Sequence, residues 1–169
     1  MSELGRLLGI DHGEKRIGVA VSDVLGVSAR PLDIIHRGEA GADLRQIAQA
    51  AQAQDVTRII VGLPTGTDGG VGMQGAMVIR WARKLAQQCD VPIVMWDESY
   101  SSRIAAQTQT DKGKAGGRKG KGRPAAIDDI AAAAILQDYL DTLAHQTMVR
   151  PGEHDYEPGQ PLAAFSHIE

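Results

Sequence analysis

Acidic side chains stand at three points of the sequence where an apolar segment ends or a helical one begins. Asp11 ends the first apolar run, Asp97 and Glu98 end a later one, and Asp128 and Asp129 open the last long helical pattern. Three acids at one edge would repel one another unless a cation neutralised them. Oxygen ligands without a His or Cys cluster favour Mg²⁺ or Mn²⁺ over zinc. Such a site polarises a phosphodiester and generates hydroxide for in-line attack on phosphorus.

Each of these acids also has a commoner structural role. An Asp after a strand often bonds to its own backbone in a turn, and that role suits Asp11. Asp128 or Asp129 could cap the N-terminus of its helix, a contact worth about 0.5–2 kcal/mol. Consecutive side chains of a strand point to opposite faces, so only one of Asp97 and Glu98 can share a site with Asp11. The metal interpretation therefore depends on the three segments meeting at one edge.

The net charge of -3 hides a strongly basic segment. Residues 111–125 contain six basic residues and one acid, a local charge of +5, so the rest of the chain carries -8. Five glycines lie in the same segment, and this composition predicts a mobile loop that buries no core. We expect this basic loop to neutralise the phosphates of a nucleic acid strand. Its cations are Lys112, Lys114, Arg118, Lys119, Lys121 and Arg123.

Other residues near the acids allow two interpretations each. Lys15, Arg16 and Arg103 could touch phosphates of a substrate or remain solvated surface charges. His12 has the pKa range for proton transfer, but a histidine in a turn beside a ligand is more often exposed, and we expect a bystander. Trp81 has helical spacing from its apolar neighbours and is expected in the core rather than on a base-stacking surface.

The elements that must position these residues follow from periodicity and turn signals. Alternating apolar residues, a glycine turn at Gly13 and an edge-compatible Pro31 predict a three-strand antiparallel meander over residues 5–37. Two nearly all-apolar runs, 58–64 and 91–97, are typical of parallel strands buried on both faces. The predicted helices are one that begins at Asp43 and three over residues 73–88, 102–108 and 127–143.

This order of elements predicts an α/β domain. A meander followed by βαβ units gives a mixed five-stranded sheet, three antiparallel strands plus two parallel ones, with helices on both faces. Right-handed crossovers place the later strands parallel to the first, so that their C-terminal ends open on one edge. A glycine-rich loop at 66–70 would flank that edge. We assign residues 1–145 to this domain and expect residues 146–169 to form a loosely docked or disordered tail.

Composition indicates the cellular compartment and the kinds of partner to expect. Aromatic residues make up 4% of the chain, so no aromatic platform for single-stranded bases is indicated. A single cysteine, Cys89, cannot form an internal disulfide or a zinc site and fits a reducing compartment. The longest strongly apolar stretch, residues 130–136, is too short to span a membrane, and no signal-peptide pattern is visible. We therefore expect a cytoplasmic protein without a membrane partner.

Four motifs, taken together, resemble those of the YqgF/RuvX family, Holliday junction resolvase-like nucleases of the RNase H superfamily. They follow one another in the family's order across residues 5–143, which makes the set highly specific. The motifs are LGIDHGEKRIGVAVSD at 8–23, VGLP at 61–64 with DG at 68–69, WDESYSS at 96–102, and IDDIAA at 127–132 with ILQDYL at 135–140.

The resemblance implies an RNase H-like fold and a specific set of site residues. Asp11, Glu98 and Asp128 match the family's catalytic, metal-binding acids, whereas Asp129 falls at a position that varies. Asp11 would bridge two Mg²⁺ or Mn²⁺ ions, and the other two acids would complete their ligand shells.

Two departures from the family pattern affect the third motif. Ser99 stands where the family usually has arginine, which could alter substrate contact or the rigidity of the site. Ser101 and Ser102 replace paired threonines and keep their hydroxyl groups.

The resemblance further implies an endonuclease that matures the 5′ end of the small-subunit (16S) ribosomal RNA precursor, leaving a 5′-phosphate and a 3′-hydroxyl. Resolution of Holliday junctions in DNA recombination and repair is the alternative within the same family. The partner would then be structured RNA or branched DNA. The sequence leaves both open, because no feature that reads a 2′-hydroxyl is visible in it.

Two further classes compete with the nuclease interpretation. A nucleic-acid-binding module without activity predicts that at least one acid is missing, and all three are present. An ASKHA-type phosphotransferase needs two domains of this size and a second phosphate loop, which 169 residues cannot supply. Either a monomer or a homodimer is compatible with the sequence, and a symmetric dimer would present two sites to a junction.

Overall fold

The computed structural model describes residues 5–39, 41–65, 70–97, 126–149 and 159–168, with the side chains of the last long helix described from 130 to 145. The strands are β1 Arg6–His12, β2 Arg16–Ser22, β3 Ala29–His36, β4 Val56–Leu63, β5 Ile93–Asp97 and β6 Gln160–Pro161. The helices are α1 Ala42–Ala53, α2 Met73–Ala86 and α3 Ala126–Val149, and a 3-10 helix spans Leu162–Phe165. None of the helices described is both long and apolar enough to cross a bilayer.

The strands form one mixed sheet in the order β3-β2-β1-β4-β5-β6. β1, β2 and β3 are the predicted antiparallel meander, and β4 and β5 continue from β1 as parallel strands. The C-terminal ends of β1, β4 and β5 therefore open on the same edge of the sheet, as predicted. This edge is called the catalytic edge below. The number of strands is wrong in the prediction: within the described residues the sheet has six strands rather than five.

Helices cover both faces of the sheet, which confirms the predicted layers. On one face, α1 and α2 pack against apolar residues such as Ile10, Val61 and Met95. On the other face, α3 packs against Leu7 and Ile60. We call these the α1/α2 face and the α3 face. Every central strand contributes buried residues to both faces, as expected for all-apolar runs covered on each side.

Gly9 of β1 lets α3 approach the sheet very closely. A Cβ atom on Gly9 would stand 2.7 Å from Leu136 Cβ and 3.0 Å from the carbonyl oxygen of Ala132. Near the other end of β1, Arg58 pairs in register with Leu7 and donates to the Tyr139 hydroxyl at 2.7 Å. Successive positions along β1 thus meet earlier positions along α3. The helix runs antiparallel to β1, and its first turn lies toward the catalytic edge.

Residues 159–168 pack on the sheet, which corrects the expectation of a loosely docked or disordered tail for this part of the chain. Gln160 and Pro161 pair with Met95 and Val94 of β5. Phe165 is only 8% exposed and belongs to the core of the α1/α2 face. Arg83 of α2 donates to the carbonyl oxygens of Phe165 and Ile168. Backbone pairing with β5, burial of Phe165 and the hydrogen bonds from Arg83 together hold this segment on the sheet.

Candidate nuclease site

Among the three predicted site acids, Asp11, Glu98 and Asp128, the structure describes the side chain of Asp11. It is the penultimate residue of β1, is half-buried, and shares a face with Leu7 and Gly9 because side chains alternate along a strand. That face is covered by α3. A strand rises by about 3.3 Å per residue and a helix by about 1.5 Å, so two strand positions match about four helical ones. Ala132 lies against Gly9, and residue 128 is one helical turn before Ala132. Residue 128 therefore lies at the level of Asp11 along the sheet.

Glu98 follows the last residue of β5 and lies outside the described residues. Its neighbour Asp97 is described: it is exposed and accepts a hydrogen bond of 2.7 Å from the Thr65 hydroxyl. Trp96 belongs to the core of the α3 face, so alternation places Asp97 on the α1/α2 face. Asp97 and Glu98 are the two acids that could share a site with Asp11. Asp97 therefore lies on the opposite face of the sheet from Asp11.

His12 differs from the expected exposed bystander. It continues the face of Leu8 and Ile10, and its ring is half-buried with its centroid 4.8 Å from that of Trp81. Burial, reinforced by the nearby Arg37, lowers the pKa of His12 from 6.5 to about 4. The imidazole is therefore neutral at physiological pH and packs into the α1/α2 face. Trp81 is buried, which confirms its prediction as a core residue.

A network of polar groups surrounds this histidine on the α1/α2 face. The Trp81 indole N–H donates to Asp43 Oδ2 at 3.2 Å, and the backbone N–H of Leu44 donates to Asp43 Oδ1 at 2.9 Å. Arg37 Nε lies 3.7 Å from Asp43 Oδ2. Asp43 is thus a buried carboxylate in the first turn of α1 with two donors and one nearby cation, a favourable setting for its charge.

Arg37 is the residue near the site that sequence reasoning did not single out. It follows β3, and its backbone N–H donates to the Lys15 carbonyl oxygen at 2.9 Å, which brings β3 to the catalytic edge beside the first hairpin. Arg37 lines a cavity of about 110 Å³ together with Asp11, His12 and Met77 of α2. The sequence carried one signal for this position. Arg37 comes directly after β3, and β3 pairs with β2, the strand that follows Asp11.

A second buried carboxylate lies on the α3 face. Asp138 is 6% exposed, and its Oδ2 accepts a 2.8 Å hydrogen bond from the Trp96 indole N–H. Its Oδ1 has no hydrogen-bond partner among the residues that the structure describes. Burial raises the pKa of Asp138, and the Trp96 hydrogen bond opposes that shift in part. This contact joins β5, two residues before Glu98, to α3.

The predicted nucleic-acid contacts divide between described and undescribed parts of the chain. Lys15 is exposed in the first hairpin turn at the catalytic edge, and Arg16 begins β2 half-buried. The predicted helix at 102–108, Arg103 and the cations of the basic loop lie outside the described residues, as do residues 66–69 of the glycine-rich loop. Asp128 is in the first turn of α3. Within the described residues, no group of three or more potential metal ligands is present.

Comparison with known proteins identifies the family. The profile of the RuvX family, described as Holliday junction resolvases, matches residues 5–142. The chain belongs to the RuvX family. The match spans every element from β1 to most of α3 and confirms the resemblance inferred from the four motifs.

Relatives of the RuvX chain are similar along nearly their whole length. A protein of Desulforamulus reducens named "Putative pre-16S rRNA nuclease" is 39% identical over 141 residues, which is 81% of this chain and 97% of the relative. A protein of Myxococcus xanthus with the same name is 38% identical over 153 residues, 90% of this chain and 95% of the relative.

Solved structures confirm the RNase H-like fold. RuvC of Thermus thermophilus, in a complex with a Holliday junction substrate, superposes with a TM-score of 0.57 over 93% of this chain and 99% of the RuvC chain. A second structure of the same protein gives a TM-score of 0.55. Sequence identity is 15% and 14%, so the likeness concerns the fold of the RuvX chain alone.

Proposed function

We propose that this RuvX protein is a divalent-metal-dependent nuclease that hydrolyses phosphodiesters in the 5′-end processing of pre-16S ribosomal RNA. The observation that carries the proposal is the position of Asp11 at the catalytic edge, on the face where the first turn of α3 arrives. The family assignment and the names of relatives that align over almost their full length support the same activity.

The proposed catalytic acids are Asp11, Glu98 and Asp128. The first comes from β1, the second follows β5, and the third lies in the first turn of α3. Asp97 is bonded to Thr65 on the other face, and this supports Glu98 as the acid of that pair. Gly9 supports the same arrangement, because its lack of a side chain lets α3 lie directly against β1.

The donors at this edge suit Mg²⁺ or Mn²⁺. Carboxylate oxygens are the ligands that these ions prefer, and the imidazole of the residue next to Asp11, His12, belongs to the α1/α2 face. When bound, the cation supplies Lewis-acid chemistry to the phosphodiester and makes water more acidic. The protein contributes Asp11 on a strand held between β2 and β4, which fixes its carboxylate in place.

Nucleic acid is the substrate class that the charges favour. Lys15 is exposed at the catalytic edge, and the cations of the basic loop follow Glu98 in the chain. Cations at these positions would attract phosphates without reading sequence. Holliday junction DNA is the second candidate, supported by the description of the family.

Parallel cleavage assays test the proposal. Purified protein with Mg²⁺ or Mn²⁺ is given a labelled pre-16S rRNA leader and a labelled four-way DNA junction. We expect cleavage of the RNA and a loss of about 100-fold or more in Asp11→Asn, Glu98→Gln and Asp128→Asn, because even outer-shell residues of metal sites contribute about 10–100-fold.

Asp97→Asn is the matched control for Glu98→Gln. It neutralises the adjacent acid but keeps an oxygen that can accept the Thr65 hydroxyl, so we expect a rate near that of the wild type. Cleavage that persists in the Asp11→Asn and Glu98→Gln variants would disprove the site. Cleavage of the junction alone would move the function to DNA, and cleavage of neither substrate would favour a binding module.

A further inference from the structure

The cavity beside Asp11 has two chemically different walls. It lies on the opposite side of the end of β1 from the approach of α3, and its volume is about 110 Å³. One wall is formed by Pro64 and by the α2 residues Gln74, Met77 and Val78. The other is formed by Arg37 and by the end of β1 with its turn, which brings two acids, Asp11 and Glu14, into the lining.

The apolar wall contains a large side chain that is unusually open to solvent. Met77 is 47% exposed, although Val78 beside it is almost fully buried. Pro64, just after β4, faces the same cavity. A flexible, polarizable Met side chain next to a proline ring provides a surface against which a flat apolar group can pack.

The polar wall contains a cation that its protein partners hold only loosely. Arg37 Nε is 3.7 Å from Asp43, and its guanidinium donates to the carbonyl oxygens of Gly13 and Glu14 at 3.3 and 3.4 Å. These distances exceed the usual range for charge-assisted hydrogen bonds. A guanidinium has five N–H donors in a planar fork that matches a phosphate, so Arg37 can bind one without losing a strong contact.

We propose that this cavity binds the nucleotide next to the scissile phosphate. Arg37 binds the phosphate of that nucleotide, and its base packs against Met77 with Gln74 at its polar edge. The inference rests on the proposed nuclease function and names one position of its substrate. Asp11 is the residue that the cavity shares with the proposed site: it lines the cavity, while its carboxylate lies on the face of β1 that α3 covers. A strand held in the cavity therefore has to pass only the end of β1 to reach the site where the backbone is cut.

Met77 and Met73 form a matched pair for testing the apolar wall. They lie one helical turn apart on α2, but Met73, which is 83% exposed, is not part of the cavity lining. We expect Met77→Ala to raise the KM for RNA cleavage about 5-fold, consistent with lost apolar contact, and to leave kcat near the wild-type value. Met73→Ala should change neither. Equal effects of the two variants would overturn the base contact.

The salt dependence of binding tests the polar wall separately. Binding of a labelled single-stranded RNA is measured by fluorescence anisotropy in EDTA, where no cleavage occurs. We expect Arg37→Gln to weaken binding about 10-fold at low salt and to make the slope of log K against log[salt] shallower by about 0.7, the loss of one phosphate contact. Arg37→Lys should restore part of the affinity. Arg45→Gln, an exposed charge on α1, is the control.

An unchanged salt slope in Arg37→Gln would show that Arg37 only anchors the hairpin and would overturn the phosphate contact. Thermal unfolding of each variant separates this result from misfolding, and Arg37→Lys, which keeps the cation, is the conservative variant in that comparison. The outcome is also distinct from failure of the proposed function. A wild-type protein that cleaves RNA, with variants indistinguishable from it, rejects the nucleotide cavity alone.

Discussion

On each face of the sheet, a buried carboxylate accepts a hydrogen bond from a tryptophan indole, but the two carboxylates differ in how well neighbouring groups compensate their charge. On the α1/α2 face, Trp81 donates to Asp43, which also accepts a backbone N–H and lies 3.7 Å from Arg37. On the α3 face, Trp96 donates to Asp138, whose second oxygen has no hydrogen-bond partner in the described part of the chain. The same pair of residue types thus makes a compensated charge on one face and a poorly compensated one on the other.

This difference shows that the two faces of one sheet can hold a buried carboxylate in two different ways. The α1/α2 face holds a carboxylate and a cation at the edge where the cavity opens. On the α3 face, Gly9 allows the helix to pack against the backbone. There, burial raises the pKa of Asp138, the nearby Asp141 adds to the shift, and the Trp96 hydrogen bond opposes it in part. Buried charge stabilises a fold only where its hydrogen bonds are complete. We expect the two faces to respond differently to matched substitutions.

The largest expected difference comes from removing each carboxylate. Asp43→Leu leaves the Trp81 indole and the Leu44 amide without this acceptor and removes the carboxylate 3.7 Å from Arg37, so we expect the free energy of unfolding to fall by about 3 kcal/mol. Asp138→Leu removes a poorly compensated acid and takes one acceptor from the Trp96 indole, so we expect a loss of about 1 kcal/mol.

Urea denaturation of the two variants at pH 7 measures both losses. Equal losses would contradict the contrast between the faces. A larger loss for Asp138→Leu would reverse it and would mean that Asp138 has strong partners outside the described residues.

The next largest effect concerns how tightly α3 packs. Gly9→Ala places a methyl group 2.7 Å from Leu136 Cβ, so the helix must shift, and we expect a loss of about 2 kcal/mol in the free energy of unfolding. Gly38→Ala is the control, because a Cβ there meets no atom within 4 Å. Thermal unfolding compares the two variants. A destabilisation no greater than that of Gly38→Ala would indicate that α3 is not held against β1.

The smallest effect is a pH dependence that belongs to the α3 face. Because the folded-state pKa of Asp138 is raised, its contribution to stability is present below the unfolded-state pKa of about 3.9 and is lost as the pH rises through the folded-state value. Asp138→Asn removes this titration. The stability of the wild type relative to the variant should therefore decrease as the pH rises and then level off.

Denaturation series of both proteins between pH 3 and 8 reveal that trend. A difference in stability that does not vary with pH would show that Asp138 does not titrate differently in the folded and unfolded states.

Much of the architecture was predictable because it depends on patterns that repeat along the chain. Alternation identified β1 to β3, and two all-apolar runs identified the buried parallel strands β4 and β5. β6 escaped notice because two residues joined by backbone pairing, one of them Pro161, leave no side-chain periodicity. Gly159, which directly precedes β6, has a φ of 87°, a backbone feature that the composition of the tail did not suggest.

The site was predictable in part, for a different reason. Asp11 was identified from its place at a strand end, because that place depends only on local sequence. Arg37 was missed because its nearness to Asp11 depends on the register in which β3 pairs with β2, and a predicted meander does not fix that register. The prediction of an exposed His12 is wrong because alternation from Leu8 and Ile10 directs its side chain toward α2, and its position in the strand outweighs its nearness to the turn.

The last strand of the sheet also has a consequence for the order in which the protein is made. β6 covers the outer edge of β5, and because it begins at residue 160 it leaves the ribosome well after β5, which ends at residue 97. Until then, the edge of β5 is an open row of backbone donors and acceptors, the kind of edge at which nascent chains associate wrongly. A chain shortened by its final ten residues would keep that edge open after synthesis. Aggregation during expression, rather than loss of catalysis, would be its main defect.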